Sequence, residues 1–342
     1  KQTPKHGKGK RVQSRDNSAT KPLLRKGRAA KHGGRRPASH RKEAESATIP
    51  TAPEGALARA ARRMNPGERV VAMTGVCSFV GDALLRRLEA DPNVASVIAL
   101  DVRKPAFPLD KTLFHKLDLT LPTADADLAA IIADEGVDTL VHAAFLENPT
   151  HATAWAHELE DIGTMHVLNA GAETRLRKLV VLSTTLVYGA HALNPNFLSE
   201  GHPLKGNASS RFISDKVAAE MQVHRFAKEN PETVVSVLRA APTVGPTVDN
   251  LITRFLARPI APVMMGYDPL IQLVHGDDLI DAMKLAVDRD VSGAFNIVGD
   301  GVLPYTPILA MMGKLPLPLP YSLAKPLANA LWVTQVFDSP PN

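Results

Sequence analysis

The chain has 342 residues, 44% of them hydrophobic and 22% charged, which is enough for one large domain or two smaller ones with buried cores. Its one cysteine, Cys77, excludes an intramolecular disulfide framework and indicates a reducing compartment, which we expect to be the cytoplasm. No run approaches the roughly 18 apolar residues of a membrane span, and the charged N-terminus lacks the apolar segment of a signal peptide.

The net charge of +5 averages two unlike parts of the chain. Residues 1–42 contain 15 Lys or Arg and a single acid, Asp16, whereas the remainder contains 25 basic and 34 acidic residues. So polar a segment cannot bury enough apolar surface to offset its ordering entropy, and we predict that 1–64 is a disordered basic tail followed by a linker. The tail is either simply solvated or contacts polyanions non-specifically. It has no aromatic residues to stack on bases, so specific nucleic-acid recognition is not expected.

Strands and helices are predicted to alternate after the linker. Apolar runs indicate buried strands at 69–75, 94–101, 137–144, 177–185, 233–240 and 293–299. Helical spacing of apolar residues marks 79–90, 123–135, 151–173 and 209–229, and an apolar helix-like stretch follows at 322–337. This alternation is typical of an α/β protein with a doubly wound parallel sheet of the Rossmann type.

The same pattern sets the predicted domain bounds. We expect a Rossmann-type domain over 65–241. A smaller, mixed subdomain is expected over 242–342, where Pro and Gly become frequent, with 275–300 returning to the main sheet.

The sequence TGVCSFVG (74–81) joins the first predicted strand to the first helix. Gly75 allows a tight turn and Gly81 lets the helix pack closely on the strand, so that the helix N-terminus can face a pyrophosphate. Asp101 ends the second strand 20 residues after Gly81, where a carboxylate can bind ribose hydroxyls. The alternative is an ordinary strand-to-helix turn beside an exposed Asp.

The cofactor predicted from this loop is NAD. A carboxylate at Asp101 would repel the 2′-phosphate of NADP, although Arg103 and Lys104 keep NADP as an alternative. Ser78 stands where a third Gly usually lets the backbone approach the phosphates, which weakens this prediction without removing it.

Eight motifs, in order, resemble those of the extended short-chain dehydrogenase/reductase family, which includes nucleotide-sugar epimerases and dehydratases. They are TGVCSFVG (74–81), LDLT (117–120), DTLVHAA (138–144), STTLVYG (183–189), RFISDKVAAE (211–220), LRAAPTVGP (238–246), LVHGDDLIDA (273–282) and GAFNIVGDG (293–301). Eight ordered matches over more than 220 residues make chance similarity an inadequate explanation.

The resemblance implies the following site. The cofactor would be held by Thr74, Gly75, Ser78, Phe79, Val80, Gly81, Asp101, Asp118, Leu119, Ala143, Ala144 and Lys216. In the catalytic positions, Thr184 would bind the reacting oxygen, Lys216 would bond the nicotinamide ribose, and Phe212 occupies the position of the family's Tyr. The family also implies that 65–241 binds NAD(P), that 242–342 is a substrate-binding subdomain, incomplete at its C-terminus, and that a homodimer forms through helices 151–173 and 209–229. No metal is expected.

Three departures from the family pattern bear on the chemistry. Ser78 replaces the central Gly of the loop, and Glu160 replaces the Asn that usually lies three residues before Gly163. The largest is Phe212, because the family's Tyr exchanges a proton with the substrate oxygen as hydride moves. Removing a positioned acid or base typically costs roughly 10²- to 10⁴-fold in rate. Tyr188 is expected to lie along the cleft wall.

Three hypotheses about function remain. The preferred one is an NAD(P)-dependent, epimerase/dehydratase-like oxidoreductase that acts on a hydroxyl or ketone of a small molecule through an altered proton-transfer residue. The alternative is a catalytically silent NAD(P)-binding protein with a structural or sensing role, and the third is a nucleic-acid-associated protein whose basic arm is active. Ile271 and Gln272 stand where many family members have an Arg that clamps a diphosphate, which argues against a nucleotide-sugar substrate.

Overall fold

The computed structural model describes residues 69–107, 109–323 and 326–327. The predicted basic tail (1–64) and most of the apolar stretch 322–337 lie outside this range. Within it, the strands are β1 (Arg69–Thr74), β2 (Val94–Asp101), β3 (Thr112–Lys116), β4 (Thr139–His142), β5 (Lys178–Thr184), β6 (Val234–Ala240), β7 (Thr243–Val244), β8 (Ile260–Met264), β9 (Leu270–Ile271), β10 (Val274–His275), β11 (Gly293–Ile297), β12 (Leu303–Pro304) and β13 (Leu315–Leu319).

The helices lie between these strands. They are α1 (Phe79–Glu89), α2 (Ala124–Asp134), α3 (Thr153–His157), α4 (Gly163–Glu173), α5 (Arg211–Glu229), α6 (Leu251–Ala257), α7 (Gly276–Asp288) and α8 (Tyr305–Met311). A π-helical turn (Glu158–Ile162) joins α3 to α4, so the predicted helix 151–173 is interrupted in its middle. A 3₁₀ turn (Thr185–Tyr188) follows β5.

Seven strands form one parallel sheet in the order β11-β6-β5-β4-β1-β2-β3. The chain winds outward from β1 in both directions, which is the strand order of a Rossmann fold and confirms the predicted fold class. The edge strand β3 was not predicted, because its residues TLFHK mix polar and apolar side chains without a clear period and none of them is fully buried. The predicted strand at 293–299 does return to the sheet, where β11 pairs with β6.

The core lies on both faces of the sheet, which explains why the central strands are continuous apolar runs. Val71 and Met73 of β1 face a layer that contains Leu84 of α1 and Met283 of α7. Ala72, between them, faces the opposite layer with Leu128 of α2 and other residues of α4 and α5. The alternation along one strand therefore divides the apolar residues between two layers of helices.

The residues after β6 add three two-stranded pairings: β7 with β10, β8 with β13, and β9 with β12. A small cluster of Leu256, Ala261, Ile308 and Leu309 forms their own core. Among the described residues, no helix combines the length and apolar character needed to cross a membrane. The same residues contain no group of three His, Cys, Asp or Glu side chains placed to hold a metal ion.

Candidate cofactor and substrate site

Two adjoining cavities open at the carboxyl ends of the parallel strands, the edge at which ligands bind in open α/β sheets. One, of about 550 Å³, lies between the ends of β1, β2 and β4, and we call it the loop cavity. The other, of about 410 Å³, lies between the ends of β5 and β6 and the first turns of α5, and we call it the apolar cavity. Segment 145–149 contributes to the walls of both.

The glycine loop is shaped by close backbone contacts. Gly75 has a φ of +72°, and a Cβ atom on it would lie 2.6 Å from the carbonyl oxygen of Ala143. A Cβ on Gly81 would overlap the carbonyl oxygen of Gly75, so this glycine allows α1 to pack directly on the loop. Neither position accepts a side chain without displacing backbone, as the tight turn and close packing predicted for them require.

Ser78, the unusual residue of the loop, is the N-cap of α1. Its hydroxyl accepts a hydrogen bond from the backbone N–H of Gly81 at 3.0 Å and donates one to the carbonyl oxygen of Gly75 at 2.9 Å. The serine therefore stabilises the loop internally and satisfies one of the free N–H groups that a helix N-terminus offers to an anion.

Among the carboxylates that line the loop cavity, those of Asp101 and Asp118 are held by hydrogen bonds to backbone N–H groups. Asp101 accepts hydrogen bonds from the backbone N–H groups of Cys77 at 3.0 Å and of Arg103 at 3.2 Å. Asp118 accepts from the backbone and hydroxyl of Thr120, at 3.0 and 2.7 Å. Burial and the neighbouring Asp101 raise the pKa of the Cys77 thiol to about 11, so this cysteine stays protonated beside the loop.

His142, at the end of β4, is a packed residue and not a base. It is fully buried, with Nδ1 2.9 Å from Thr74 Oγ1 and Nε2 3.2 Å from Thr164 Oγ1. Burial lowers the pKa of this imidazole to about 3, which keeps it neutral. His275 is likewise structural, since its Nδ1 accepts the backbone N–H of Asp277 at the start of α7.

The apolar cavity holds the residues in the predicted catalytic positions. Thr184 ends β5, and its hydroxyl accepts the backbone N–H of Leu186 at 3.3 Å. Phe212 and Lys216 lie one turn apart on α5 and both line the cavity, as their spacing predicts. The Lys216 ammonium is 4.6 Å from the centre of the Phe212 ring and 5.5 Å from that of Phe145.

Lys216 forms a buried ion pair with Glu160 of the π-helical turn. Its Nζ lies 2.9 and 3.1 Å from the two carboxylate oxygens and donates to the carbonyl oxygen of Leu146 at 2.8 Å. Glu160 in turn accepts the backbone N–H of Leu146 at 2.7 Å. Burial raises the pKa of Glu160 even though the Lys216 charge opposes the rise. The ion pair thus binds both the backbone N–H and the backbone carbonyl of Leu146.

A second buried ion pair, which the sequence analysis missed, lies behind the apolar cavity. Arg239 of β6 is fully buried and donates through Nε to Glu220 of α5 at 2.7 Å. Burial alone would raise the pKa of Glu220, but hydrogen bonds from His224 and Ser183 and the charge of Arg239 hold it below its usual value. The sequence signal was available, because two charges at buried positions of a strand and a helix require partners.

Tyr188 belongs to this buried group, so the expectation that it lies along the cleft wall is wrong. It is only 2% exposed and lines neither cavity. Its hydroxyl accepts a hydrogen bond from Arg239 at 2.8 Å and donates to Asn296 at 2.6 Å. Burial raises the pKa of this phenol, which makes it unsuitable as a substitute for the missing acid.

The structure gathers most of the predicted site around the two cavities. The loop cavity is lined by Thr74, Gly75, Ser78, Phe79, Asp101, Asp118, Leu119, Ala143 and Ala144. The apolar cavity is lined by Val80, Thr184, Phe212 and Lys216, and again by Ser78 and Ala143. Gly81 lines neither cavity and acts through packing. Glu147, which lines both cavities, was not predicted, because nothing in its local sequence distinguishes it.

Proteins of several other organisms are similar to the chain in sequence. The chain is 31% identical over 259 residues to uncharacterized proteins of Mycobacterium bovis and Mycobacterium tuberculosis, and the match covers 74% of this chain and 68% of each relative. It is also 30% identical over 273 residues to a hybrid PKS-NRPS synthetase of Macrophomina phaseolina, although the match covers only 7% of that protein.

Solved structures share the fold. UDP-glucose 4-epimerase of Thermotoga maritima, solved with UDP-glucose, is 19% identical with a TM-score of 0.61, over 73% of this chain and 85% of that one. dTDP-glucose 4,6-dehydratase of Bacillus anthracis, solved with NAD, is 20% identical with a TM-score of 0.59, over 74% and 84% of the two chains.

The family assignment follows from a third comparison. The sequence pattern of the NAD dependent epimerase/dehydratase family matches residues 71–298, a range that contains nearly all of the seven-stranded sheet and every residue predicted for the site. The resemblance seen in the eight motifs is thereby confirmed, and the predicted cofactor agrees with the family's NAD. The chain belongs to the NAD dependent epimerase/dehydratase family.

Proposed function

We propose that the protein is an NAD-dependent oxidoreductase of the epimerase/dehydratase type, acting on a hydroxyl or ketone of a small molecule through an altered proton-transfer route. The observation that carries the proposal is the junction of the two cavities at the carboxyl ends of the strands. One cavity has the glycine loop and the carboxylates of Asp101 and Asp118, and the other has Thr184 beside an apolar wall.

The chemical groups that line the loop cavity are suited to binding a dinucleotide. The space beside Gly75 is closed to a side chain, and the N-terminus of α1 offers N–H groups and a positive dipole end to a pyrophosphate. Asp101 and Asp118 offer carboxylate oxygens to the adenosine part. A carboxylate at Asp101 favours the ribose hydroxyls of NAD over a phosphorylated ribose.

NAD, when bound, supplies a hydride acceptor for an alcohol or, once reduced, a hydride donor for a ketone. The Thr184 hydroxyl can donate a hydrogen bond to the oxygen of the substrate, but an alcohol is a poor acid. Phe212 has no proton to exchange. Lys216 has its three N–H groups directed at Glu160 and Leu146, so a ribose hydroxyl would have to replace one of these contacts.

The cofactor preference is testable through Asp101→Asn in the full chain. The variant removes the charge but keeps one oxygen, which can accept the N–H of Cys77. It gives up the longer contact to the N–H of Arg103, which is exposed, so the loop should stay in place. We expect calorimetric titration to give micromolar NAD binding and at least tenfold weaker NADP binding in the wild type. In the variant this ratio should fall by roughly tenfold, about 1.4 kcal/mol.

The matched control is Asp110→Asn, since Asp110 is exposed and lines neither cavity. It should bind both dinucleotides as the wild type does. If the folded wild-type chain bound neither dinucleotide, the proposed function would be wrong. An unchanged ratio in Asp101→Asn would remove only the role given to Asp101.

The second candidate is a protein that binds NAD without turnover. Phe212 favours it, because its position has no acid, and so does Glu160, because it engages the lysine that would assist that acid. The two candidates differ in whether NAD becomes reduced. NADH absorbance appearing when the protein is mixed with NAD and a panel of apolar alcohols would support the enzyme, and its absence across the panel would favour the silent protein.

We also propose a homodimer in the cytoplasm. Trp155 of α3, Met165 of α4 and Met221 of α5 are apolar and at least 37% exposed, and these helices are the ones the family resemblance assigns to a dimer interface. Light scattering on the full chain should give twice the mass of 36.8 kDa. A monomer across micromolar concentrations would contradict this. Contact of the basic tail with polyanions remains a prediction.

A further inference from the structure

One carboxylate that lines the apolar cavity, that of Glu147, forms no hydrogen bond or ion pair with the described residues. Three ionisable side chains of the described residues line it: Glu147, Lys216 and Glu220. Lys216 is paired with Glu160 at 2.9 Å, and Glu220 is paired with Arg239 at 2.7 Å. Within the part of the chain that the structure describes, no hydrogen bond or ion pair engages the Glu147 carboxylate. Among the described residues that line the cavity, Glu147 is therefore the charged group left without an ion-pair partner, and its neighbours are mostly apolar.

Glu147 is held in place on both sides. The preceding residue, Leu146, is bound through its N–H and its carbonyl to Glu160 and Lys216. The following residue, Asn148, accepts the backbone N–H of Leu251 at 2.6 Å. Glu147 is itself exposed and lies where the two cavities meet, so its carboxylate is accessible to a bound molecule from either side.

The surroundings of Glu147 favour a cationic partner. Partial removal from water raises the pKa of this carboxyl; Lys216 opposes the rise and Asp249 adds to it. An arriving cation would attract the carboxylate and offset its repulsion by Asp249, whereas an anion would add to that repulsion. The rest of the lining, which includes Val181, Leu186, Phe212, Ile213 and Ile252, offers apolar contact.

We propose that the apolar cavity binds an apolar organic amine, with Glu147 as the counter-ion of its ammonium group. This inference rests on the proposed function and names the class of its substrate. It separates the chain from the structural neighbour solved with UDP-glucose, because a diphosphate would meet an unpaired carboxylate. Of the described residues, Lys216 is the cation that lines the cavity, and Glu160 already neutralises it.

Three probes of similar size test the proposal: benzylamine, which is cationic at neutral pH, benzyl alcohol, which is neutral, and benzoate, which is anionic. In calorimetric titrations of the full chain, benzylamine should bind roughly three- to tenfold more tightly than benzyl alcohol, and benzoate should bind most weakly. In Glu147→Gln, benzylamine should lose its advantage while benzyl alcohol is unaffected. Glu173→Gln, at an exposed acid of α4 outside both cavities, is the matched control and should keep the wild-type order.

Each titration is repeated with the protein saturated in NADH, whose nicotinamide is uncharged, so that the amine is the only organic cation added. The proposal is overturned if benzylamine and benzyl alcohol bind equally, if the preference survives in Glu147→Gln, if none of the three probes binds, or if UDP-glucose binds as tightly as benzylamine. Dinucleotide binding without a preference for the amine would remove this inference and leave the proposed function intact. Absence of dinucleotide binding would remove the proposed function.

Discussion

Replacing Lys216 by Met should destabilise the protein by about 3–5 kcal/mol, because it leaves the Glu160 carboxylate buried without its partner. Both side chains are at most 8% exposed, so water cannot take over the lost contact. The variant Lys216→Met/Glu160→Gln should regain about 2 kcal/mol, since a neutral amide costs less to bury and can still accept the Leu146 N–H. Denaturant unfolding of the single and double variants measures both values.

The pH dependence of this loss has a defined sign. Burial already raises the pKa of Glu160, so the folded state binds a proton more readily than the unfolded chain does. Without Lys216 the pKa of Glu160 rises further. The free energy of unfolding of Lys216→Met should therefore increase as the pH falls through the raised pKa of the folded state and the carboxyl becomes neutral. Lys228→Met, an exposed lysine near the end of the same helix, should change stability by only tenths of a kcal/mol.

The same variants decide what Lys216 does for the cofactor. Because its N–H groups already bind Glu160 and Leu146, we expect NAD affinity in the double variant to change less than about threefold. A loss greater than tenfold in a stable, folded double variant would show that Lys216 bonds the ribose, as in the family pattern. A single variant as stable as the wild type would contradict the importance given to the ion pair.

Replacing Gly81 by Ala should lower NAD affinity by roughly 100-fold, about 2.7 kcal/mol. The added methyl group overlaps the carbonyl oxygen of Gly75, so α1 must move away from the loop whose shape forms the cavity. Overpacking of this kind also costs about 1–3 kcal/mol of stability. Calorimetric titration with NAD and denaturant unfolding give the two quantities on the same protein.

Gly201→Ala is the matched control for this change. A Cβ at Gly201 meets nothing within 4 Å, so stability should stay within about 0.5 kcal/mol and NAD binding should be unchanged. If folded Gly81→Ala bound NAD as tightly as the wild type, the glycine loop would not be the dinucleotide site. Loss of binding in both variants would also contradict a role specific to Gly81.

The fold was predictable because its signals are local. Strands such as β1 and β5 are buried on both faces and appear as apolar runs, and the glycine loop lies between one such run and a helix with clear periodicity. β3 was not predicted, because an edge strand faces water and its composition is therefore mixed. The π-helical turn was not predicted either. It packs against α5, and no pattern in its local sequence distinguishes it from an α-helix.

The site was predictable only in part, because its decisive contacts join distant residues. Glu160 and Phe212 were recognised as departures, but the pairing of Glu160 with Lys216 spans 56 positions and depends on how two helices pack. The error over Tyr188 has the same origin. Its motif places it after β5, whereas its burial follows from Arg239 on the neighbouring strand, which supplies a hydrogen bond inside the protein.

The hydrogen bonds of Lys216 and Glu160 to the backbone of Leu146 determine how the two cavities can respond to a ligand. The backbone N–H and carbonyl of this residue are both bound by one buried ion pair, so the wall formed by 145–149 cannot move outward without breaking two hydrogen bonds to buried charged groups. Such a wall is a rigid template, formed before any molecule arrives. A ligand whose shape does not match the wall then binds weakly, because the wall does not rearrange to fit it. The selectivity for ligand shape is therefore present before binding.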